Sequence, residues 1–394
     1  MRKKVCHLSY NHGPFDDRIY WKELITLKEA GYEVIHICVG DEEKDFISEE
    51  GVRIIQVKHI VSKHNIWMKR ILHFFLSNET INAILRKTIE VEADIYHYHD
   101  LQLNALVKKI KKLPNRPKVI YDSHEAYHLQ LQKDDVNNIF IKYLRQLVVQ
   151  LISKWELSSA KKCDLIIVTA PYLYYYFKKR TPFVPSIIIY NYSYFNNSHA
   201  LSNLTEEKIY DFIYSGEISE IRGISEIVKA FSLLKVQKPN SKMLLVGPFV
   251  KKEYLNELSN LLMKLNLVDS IIIHPPVPFS EVSKYYQKSK IGLCLLHQTL
   301  SFKQALPIKL FEYMSFGLPV IFANHGPSVN IIEESGCGLL VNEKDELSIC
   351  NGMRTLLESK ELFNNCSSNG IRYAKTKYNW NVEKEKLLKV YSEI

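Results

Sequence analysis

A short stretch in the second half of the chain carries a lysine and a glutamate at a spacing suited to nucleotide binding. It reads LPIKLFEYMSFGLPV over residues 306–320, which predicts a helix that opens with Pro307 and closes at Gly317. Lys309 lies in the first turn, where free amides and the helix dipole favour a phosphate. Glu312 lies one turn later and can accept hydrogen bonds from a diol such as ribose. The alternative is a surface helix with two solvated charges.

A second phosphate-binding element is indicated by the stretch SGEISEIRGISEI. Gly216 and Gly223 frame this loop, and Arg222 directly precedes the next predicted helix. Glycine allows a ligand to approach the backbone closely, and the guanidinium adds a full positive charge. We therefore expect Arg222 and Lys309 to hold a diphosphate.

Polar side chains also follow three predicted strands in the first half of the chain. Glycine permits close approach there, and imidazole and carboxylate groups offer donors and acceptors to a hydroxyl-rich ligand. Each residue taken alone is equally typical of a helix cap or a loop contact. The residues are Asn11, His12 and Gly13, then His99 and Asp100, then Asp122, His124 and Glu125.

The elements that position these residues alternate between short apolar strands and helix-length segments. Such alternation predicts crossover units and a parallel sheet. The polar stretch 192–207 interrupts the pattern, which then restarts with YDFIYSGEI. We therefore predict two doubly wound parallel sheets in tandem, with ligands bound beyond the carboxyl ends of the strands.

Composition and cysteine usage are those of a soluble globular protein. The 394 residues are 46% hydrophobic and 24% charged, and the seven cysteines form no C-x-x-C pair. Cysteines inside apolar runs favour buried free thiols over disulfides or a zinc site. The start, MRKKVCHLSYNHG, lacks the apolar run of a secretory signal, so we expect a cytoplasmic protein.

Basic residues concentrate in the first half of a chain whose net charge is +9. Residues 63–76 combine lysine and arginine with tryptophan and phenylalanine, and residues 107–118 hold a second basic run. Such faces attract anionic lipid, which predicts peripheral attachment at the inner face of the membrane. A solvated helix face is the alternative, and nucleic acid is a weaker one because no nucleic-acid motif accompanies the charge.

These motifs together give the chain a family resemblance. It resembles the retaining GT-B glycosyltransferases of family four over nearly its whole length, through PFDDRIYWKELITLKEAGYEV, HYHDLQLNAL, VIYDSHE, YSGEISEIRGISEIVKAF, ALPIKLFEYMSFGLPVI and YNWNVEKEKLLKVY. The resemblance implies two Rossmann-like domains that face a cleft, an acceptor-side domain at 1–195 and a nucleotide-sugar domain at 196–375. A last helix, 376–394, would cross back to the first domain. Catalysis without a metal ion or other cofactor is also implied, and the sequence has no D-x-D triplet.

The resemblance further implies roles for individual residues. His124 would contact the donor sugar near the reacting carbon, while Arg222 and Lys309 would stabilise the leaving diphosphate. The donor-binding set is Gly13, Gly216, Gln304, Leu306, Pro307 and Glu312. The acceptor-side set is Asn11, His12, Asp17, Arg18, His99, Asp100 and Glu125. The reaction expected is transfer of a hexose or N-acetylhexosamine from an NDP-sugar to a glycan or lipid-linked acceptor, with retention, in cell-surface polysaccharide assembly.

Two positions depart from the family pattern. The usual E-x7-E motif ends at Glu312, but Gln304 stands where its first carboxylate belongs. Glu217 occupies a place where arginine is common, so that Arg222 alone represents the usual basic pair. The first departure bears on sugar contacts and the second on phosphate binding.

Three other functions fit parts of the pattern. His97, His99, Asp100 and His124 lie at the ends of two strands, and such a cluster can hold the metal of a hydrolase. A GT-B nucleotide-sugar epimerase would share the architecture and need no acceptor. A catalytically idle nucleotide-binding partner in a polysaccharide assembly is the third alternative.

Overall fold

The computed structural model describes residues 2–60, 79–130, 139–195 and 207–394. The basic and aromatic segment 63–76 lies outside these residues. The chain divides into two compact units, of which unit 1 comprises residues 1–191 and 383–394 and unit 2 comprises residues 192–382.

Unit 1 is built on an eight-stranded sheet. Its strands are β1 (Lys4–Leu8), β2 (Glu33–Gly40), β3 (Lys44–Ile47), β4 (Arg53–Lys58), β5 (Ile95–Tyr98), β6 (Lys118–Ser123), β7 (Leu165–Val168) and β8 (Ser186–Ile188). The strand order is β3-β4-β2-β1-β5-β6-β7-β8, and every pair is parallel except β3 with β4. Nearly every side chain of the central strands β1 and β5 is buried, because the sheet is covered on both faces.

The helices of unit 1 form the crossovers between these strands. They are α1 (Asp17–Leu24), α2 (Ile25–Glu29), α3 (Glu79–Val91), α4 (Asn104–Ile110), α5 (Tyr127–Gln130), α6 (Ile139–Ala160) and α7 (Pro171–Arg180), with a 3-10 turn at Leu101–Leu103. Helix α1 has π-helical geometry, and the Asp16 carboxylate caps it by accepting hydrogen bonds from the amides of Arg18 and Ile19 at 2.9 Å. Single-turn π segments of this kind are frequent at functional sites.

The register of β1, β5 and β6 brings histidines together inside unit 1. His7 of β1 lies opposite His97 of β5, and His97 lies opposite Ile120 of β6. Because alternate side chains of a strand share one face, His97 and His99 project to the same side. All three imidazoles are fully buried.

Unit 2 is built on a six-stranded, entirely parallel sheet. Its strands are β9 (Tyr210–Ser215), β10 (Met243–Val246), β11 (Ile271–His274), β12 (Ser289–Cys294), β13 (Val320–Ala323) and β14 (Gly338–Val341), in the order β11-β10-β9-β12-β13-β14. The predicted pair of tandem parallel-sheet domains is thereby confirmed.

The helices of unit 2 alternate with its strands. They are α8 (Ile224–Gln237), α9 (Lys252–Lys264), α10 (Phe279–Gln287), α11 (Ile308–Ser315), α12 (Ser328–Ser335), α13 (Glu346–Glu358) and α14 (Lys360–Thr376), with 3-10 turns at Glu220–Arg222 and Phe302–Gln304. The last helix, α15 (Trp380–Glu393), begins in unit 2, and its residues from Glu383 onward belong to unit 1.

All seven cysteines are free and buried, as their apolar sequence contexts predict. Among the residues that the structure describes, no helix has both the length and the hydropathy that crossing a bilayer requires.

Candidate active site

Lys309 is a buried cation at the start of α11. Pro307 is the N-cap in an extended conformation, so the helix begins one residue later than predicted, and Lys309 is its second residue. The Lys309 Nζ lies 3.8 Å from the ring centroid of Tyr214, and it has no hydrogen-bond partner among the described residues. Burial lowers the pKa of Lys309 to about 8, and the nearby charge of Arg222 acts in the same direction. A buried ammonium without an acceptor is positioned to receive an anion.

Two glycines leave room around this ammonium. Gly216 directly follows β9 with φ of +122°, and a Cβ built there would lie 3.1 Å from the Lys309 Nζ. Gly247 follows β10 with φ of +147°, and a Cβ there would collide with the Gly216 carbonyl. A side chain at either position would strain the backbone, and one at Gly216 would also crowd the lysine. The predicted role of Gly216 as a point of close approach is consistent with this geometry.

Arg222 is the second cation predicted to bind phosphate, but it already has an ionic partner. Its Nη2 lies 2.9 Å from Glu217 Oε2, and its guanidinium carbon lies 4.8 Å from the ring centroid of Phe302. The Arg222 Nε is buried and has no hydrogen-bond partner among the described residues. Gly223, at φ +74°, turns the chain from this 3-10 segment into α8. The residue that departs from the family pattern, Glu217, thus neutralises the arginine expected to bind phosphate.

Glu312 is held at the same edge of the sheet by a tyrosine. Tyr286 donates a hydrogen bond from its hydroxyl to Glu312 Oε2 at 2.7 Å, and the same hydroxyl lies 2.7 Å from Ser215 Oγ at the end of β9. The carboxylate is therefore fixed in orientation beside the carboxyl end of the central strand. The remaining predicted donor-side residues of this unit, Gln304, Leu306 and Pro307, are half-buried in the segment that leads into α11.

A pocket beside these residues was not predicted from the sequence. It encloses about 280 Å³ at the carboxyl ends of β10 and β11. Its lining is Gly247, Pro248, Phe249, Ile273, His274, Pro275 and Pro276. Glycine and proline directly after each strand, in VGPF and HPPVP, are the available sequence signal, because they end the strands and open the sheet edge.

In unit 1, Arg18 and Asp122 form a buried ion pair. Asp122 Oδ2 accepts hydrogen bonds from Arg18 Nε at 3.0 Å and from Nη2 at 2.9 Å. Arg18 also donates to the carbonyl of Ile189 at 3.2 Å. Burial raises the pKa of Asp122, but the charge of Arg18 and hydrogen bonds from neighbouring histidines together outweigh this effect and hold the pKa well below its usual range. Arg18, predicted on the acceptor side, is enclosed within the unit and organises β6 and the end of β8.

His124 lies at the accessible end of a chain of hydrogen-bonded imidazoles. Its Nε2 is 3.1 Å from His99 Nδ1 and 3.2 Å from Asp122 Oδ2, and its side chain is 11% exposed. His99 Nε2 lies 2.9 Å from His7 Nδ1. The contacts with His99 and Asp122 thus fix the orientation of His124, while its ring remains partly exposed at the surface. This arrangement suits a residue that contacts a sugar.

The loop that follows β1 is organised by Asp100. Its Oδ2 accepts hydrogen bonds from the amides of Tyr10 and Asn11 at 2.6 and 3.1 Å, and its Oδ1 accepts one from Asn11 Nδ2 at 2.9 Å. His12 Nδ1 pairs with Asp16 Oδ2 at 2.9 Å. Burial lowers the pKa of His12, but this hydrogen bond and the charge of Asp100 outweigh it and raise the pKa to about 9. An imidazolium at the sheet edge can donate to an anionic or hydroxyl-bearing ligand.

The other predicted residues of unit 1 lie around this loop. Asp17 forms an ion pair with Lys22 at 2.5 Å. Glu125 is exposed and accepts a hydrogen bond from Gln130. A Cβ built on Gly13 would meet no atom within 4 Å, so the packing of this chain does not itself require glycine there.

The four residues of the alternative metal cluster do not form one ligand group among the described residues. Asp100 is engaged by the amides of the β1 loop and does not join the histidines. The groups that lie within ligand distance of one another are His7, Glu23, His97 and His99, and separately His99, Asp122 and His124. The sequence pattern does not single out His7 and Glu23, because His7 lies inside β1 and Glu23 lies inside α1 rather than directly after a strand.

The two units share one design, a doubly wound parallel sheet with polar and charged side chains at the carboxyl ends of its central strands. This architecture defines the GT-B class. Residues 20–192 match the family model described as Glycosyltransferase Family 4, and residues 198–373 match the one described as Glycosyl transferases group 1. The chain belongs to the GT-B glycosyltransferases.

Solved structures support the fold over the full chain. Sucrose-phosphate synthase from Thermosynechococcus elongatus superposes with a TM-score of 0.71 at 15% identity, covering 100% of this chain and 99% of that one. HepE from Anabaena, crystallised with UDP and glucose, gives a TM-score of 0.71 at 13% identity and covers 100% of both chains. At these identities the likeness concerns the fold alone.

Sequence relatives match over a smaller part of the chain. An uncharacterized glycosyltransferase of Haemophilus influenzae is 29% identical over 149 residues, which are 38% of this chain and 39% of that protein. Spore coat protein SA of Bacillus subtilis is 23% identical over 187 residues, which are 46% of this chain and 48% of that protein. The matched part spans less than half the length of either relative.

Proposed function

We propose that this protein is a retaining glycosyltransferase that transfers a hexose or N-acetylhexosamine from an NDP-sugar to a glycan or lipid-linked acceptor. The observation that carries the proposal is the Lys309 ammonium, buried and without a hydrogen-bond partner among the described residues. It lies against Gly216 at the carboxyl end of the central strand of unit 2. In doubly wound sheets this edge is where nucleotides bind.

The diphosphate is the group that this environment suits best. A leaving NDP gains negative charge as the glycosidic bond to the sugar breaks, and preorganised cations lower the barrier to that step. Lys309 supplies a charge that burial keeps from being screened. Arg222 supplies a second charge once its guanidinium exchanges Glu217 for phosphate oxygens. No D-x-D triplet occurs in the sequence to bring a metal ion to the diphosphate, so the proposed charge stabilisation relies on these two cations.

The nucleoside fits the remaining features of the same edge. Glu312, oriented by Tyr286, would accept hydrogen bonds from the ribose hydroxyls. The base would occupy the 280 Å³ pocket, whose aromatic and proline lining offers flat apolar surfaces. The Anabaena relative was crystallised with UDP and glucose, which makes uridine nucleotides the first donors to test.

The first unit would supply the contacts to the transferred sugar and the acceptor. His124 is held by His99 and Asp122 in one orientation, so its ring can position the sugar at the reacting carbon. His12, Asn11 and Glu125 would then contact acceptor hydroxyls. Retention requires the acceptor hydroxyl to attack from the face that the nucleotide leaves, and it demands little beyond positioning and charge stabilisation.

Membrane attachment is a further part of the proposal. Within the basic run 107–118, Lys111 and Lys118 both pair with Asp164, at 2.8 and 3.7 Å. Lys108 and Lys109 lie exposed on α4. The described part of this surface therefore offers a smaller positive patch than the sequence suggests. An acceptor at the inner face of an anionic membrane, in cell-surface polysaccharide assembly, is the setting we propose.

A nucleotide panel tests the core of this proposal. Thermal shift is measured with UDP, GDP and ADP, then with their sugar conjugates, and the correct ligand at a hundred times its Kd should add about 2.7 kcal/mol of stability. Glu312→Ala should weaken that nucleotide by roughly tenfold to a hundredfold, since a hydrogen bond to a charged group contributes about 1.5–3 kcal/mol. Glu333→Ala, an exposed glutamate of α12, is the matched control. The proposal fails if no nucleotide shifts the melting temperature.

Product analysis tests the finer claims. The bound NDP-sugar is incubated with glycan and lipid-linked acceptors, and the anomeric configuration of the product is read by NMR. Inversion would overturn the claim of retention. Turnover of the NDP-sugar to an epimer without acceptor would instead identify an epimerase.

A further inference from the structure

Glu23 is a fully buried carboxylate whose Oε1 lies 3.1 Å from Arg18 Nη2 in an ion pair. Both carboxylate oxygens are enclosed, and neither has a partner with hydrogen-bond geometry among the described residues. Three imidazole nitrogens surround Oε2 at nearly equal distances, and none is close enough for a hydrogen bond. They are His7 Nδ1 at 3.7 Å, His99 Nε2 at 3.8 Å and His97 Nδ1 at 3.9 Å.

These separations are those of ligands around a common centre. With zinc–nitrogen and zinc–oxygen bonds of about 2.0–2.1 Å, neighbouring ligand atoms of a tetrahedral site lie about 3.3 Å apart. The three contacts to Glu23 are slightly longer than this value, and the contact of His7 Nδ1 with His99 Nε2, at 2.9 Å, is slightly shorter. Small side-chain shifts bring all four atoms to one tetrahedron.

Two of the three histidines have the outer hydrogen-bond partner that metal ligands need, whereas His97 Nε2 has none among the described residues. A ligating histidine normally uses its second nitrogen to donate a hydrogen bond, which fixes the ring. His7 Nε2 lies 3.1 Å from the Tyr391 hydroxyl, and His99 Nδ1 lies 3.1 Å from His124 Nε2. The Tyr391 hydroxyl also lies 2.7 Å from His97 Nδ1. A metal ion bound to His97 Nδ1 would replace this contact, and the hydroxyl would keep its hydrogen bond with His7.

The fourth ligand is supported in the same way. Arg18 Nη2 lies 3.1 Å from Glu23 Oε1, which leaves Oε2 as the atom directed at the histidines.

A second group of possible ligands competes less well. His99, Asp122 and His124 also lie within ligand distance of one another. However, Asp122 Oδ2 already accepts two hydrogen bonds from Arg18, whereas no described residue donates a hydrogen bond to Glu23 Oε2. His99 belongs to both groups and can serve only one of them. We therefore expect a metal ion to bind the first group.

We propose that unit 1 holds one structural Zn²⁺ ion between β1, α1 and β5. Its ligands are His7 Nδ1, Glu23 Oε2, His97 Nδ1 and His99 Nε2. Three imidazoles and one carboxylate in tetrahedral array select zinc among common divalent metals, and four protein ligands close the site to substrate. We propose no role for this ion in donor binding, but through His99 it would help to fix the orientation of His124.

Metal analysis of the full chain tests the proposal directly. The protein is produced in zinc-supplemented medium, purified without a metal-affinity column and analysed by inductively coupled plasma mass spectrometry. We expect close to one zinc per chain. We also expect 1,10-phenanthroline to lower the melting temperature and added zinc to restore it, because binding to the folded state stabilises it.

Variants locate the ion. Glu23→Gln and His97→Ala should lose stoichiometric zinc, whereas His128→Gln, which changes a buried imidazole hydrogen-bonded to Tyr172, should keep it. Should the ligand variants fail to fold, Co²⁺ exchanged into the parent protein should give the intense visible absorption of a tetrahedral site. The proposal is overturned if the parent protein contains far less than stoichiometric zinc, if chelation leaves its melting temperature unchanged, or if folded Glu23→Gln and His97→Ala retain zinc equally. A proton shared between Glu23 and the imidazoles would then stabilise the cluster.

Discussion

Glu217 holds the guanidinium of Arg222 in an ion pair, with Oε2 2.9 Å from Nη2. The side chain of Glu217 is 53% exposed and that of Arg222 is 23% exposed, so water screens the attraction. In the related glycosyltransferases that the sequence resembles, an arginine is common at the position of Glu217. In this chain the carboxylate therefore competes with any phosphate for the cation that should bind it.

We predict that Glu217→Gln strengthens nucleotide binding. Exposed ion pairs of this kind contribute about 0.2–1 kcal/mol, so releasing Arg222 should tighten the Kd by up to about fivefold. Glu220→Gln removes the same charge from an exposed position in the same loop and should have a smaller effect. Isothermal titration of both variants makes the comparison, and weaker binding by Glu217→Gln would show that the carboxylate helps the ligand.

The burial of Lys309 predicts a conflict between stability and function. Its folded-state pKa of about 8 lies below the unfolded value, so the ammonium destabilises the folded protein at neutral pH. Lys309→Met should therefore raise the free energy of unfolding at pH 7, on the order of 2–3 kcal/mol, while weakening nucleotide binding. Lys303→Met, at an exposed lysine of the neighbouring 3-10 turn, should change stability by less than about 0.5 kcal/mol.

The same pKa gives the stability a defined pH dependence. Between about pH 8 and the unfolded value near 10.4, the unfolded chain binds more protons at Lys309 than the folded protein does. The stability of the parent protein should therefore rise with pH through this window relative to Lys309→Met, and the advantage of the variant should shrink. Denaturant unfolding at pH 7 and pH 9.5 measures the difference, and a constant gap would contradict the assignment.

Nucleotide affinity should depend on pH in the opposite direction. A bound diphosphate favours the ammonium form, so the affinity is complete below about pH 8 and should fall as pH rises above it, by up to about tenfold per unit. Calorimetry in buffers of different ionisation enthalpy should show proton uptake on binding near pH 8. In Lys309→Met we expect neither the fall of nucleotide affinity with pH nor the proton uptake on binding. If the nucleotide affinity of the parent protein instead increased above pH 8, Lys309 would be excluded as a phosphate ligand.

The strands were largely predictable because a covered parallel sheet requires continuous apolar runs. KKVCHLSY contains β1, and YDFIYSGEI contains β9. Strand β3, Lys44–Ile47, was not predicted, since its residues are mostly exposed and it is a strand through antiparallel pairing with β4. The family motif PFDDRIYWKELITLKEAGYEV contains α1 and α2, but the π-helical geometry of α1 was not predicted, because hydrophobic periodicity does not distinguish a short π-helix.

The candidate site was predictable in its residue types but not in its pairings. Lys309 and Glu312 were found from a helix start, yet nothing local indicates that the Lys309 Nζ faces the ring of Tyr214. Likewise, His7 meets His97 only through the register of β1 with β5. Contacts of this kind depend on strand order, which a single sequence does not reveal.

Gly13 offers a test of close substrate approach that is separate from folding. Because a Cβ there would meet no atom within 4 Å, Gly13→Ala should leave the melting temperature nearly unchanged. If the β1 loop contacts donor or acceptor, the added methyl group should lower activity by about tenfold or more, since small misplacements of reacting groups are costly. Gly223→Ala is the contrasting variant: with φ of +74° and a Cβ that would collide with the Leu295 carbonyl, it should be clearly destabilised. Parental activity in Gly13→Ala would remove this loop from the site.

His124 is the residue at which a structural and a catalytic role differ most clearly. Its contacts with His99 and Asp122 would cost about 1 kcal/mol of stability if they alone were lost, with activity preserved in the folded fraction. If His124 positions the donor sugar at the reacting carbon, His124→Ala should keep its nucleotide affinity but lose turnover by on the order of a hundredfold. Arg222→Ala is the control, because a residue that binds the diphosphate in both ground and transition states should lower affinity and turnover together. Steady-state kinetics with the identified NDP-sugar, combined with nucleotide titration, separates the two patterns. A folded His124→Ala protein that transfers sugar at the parental rate would assign His124 to the support of Asp122 and leave unit 1 without an identified catalytic residue.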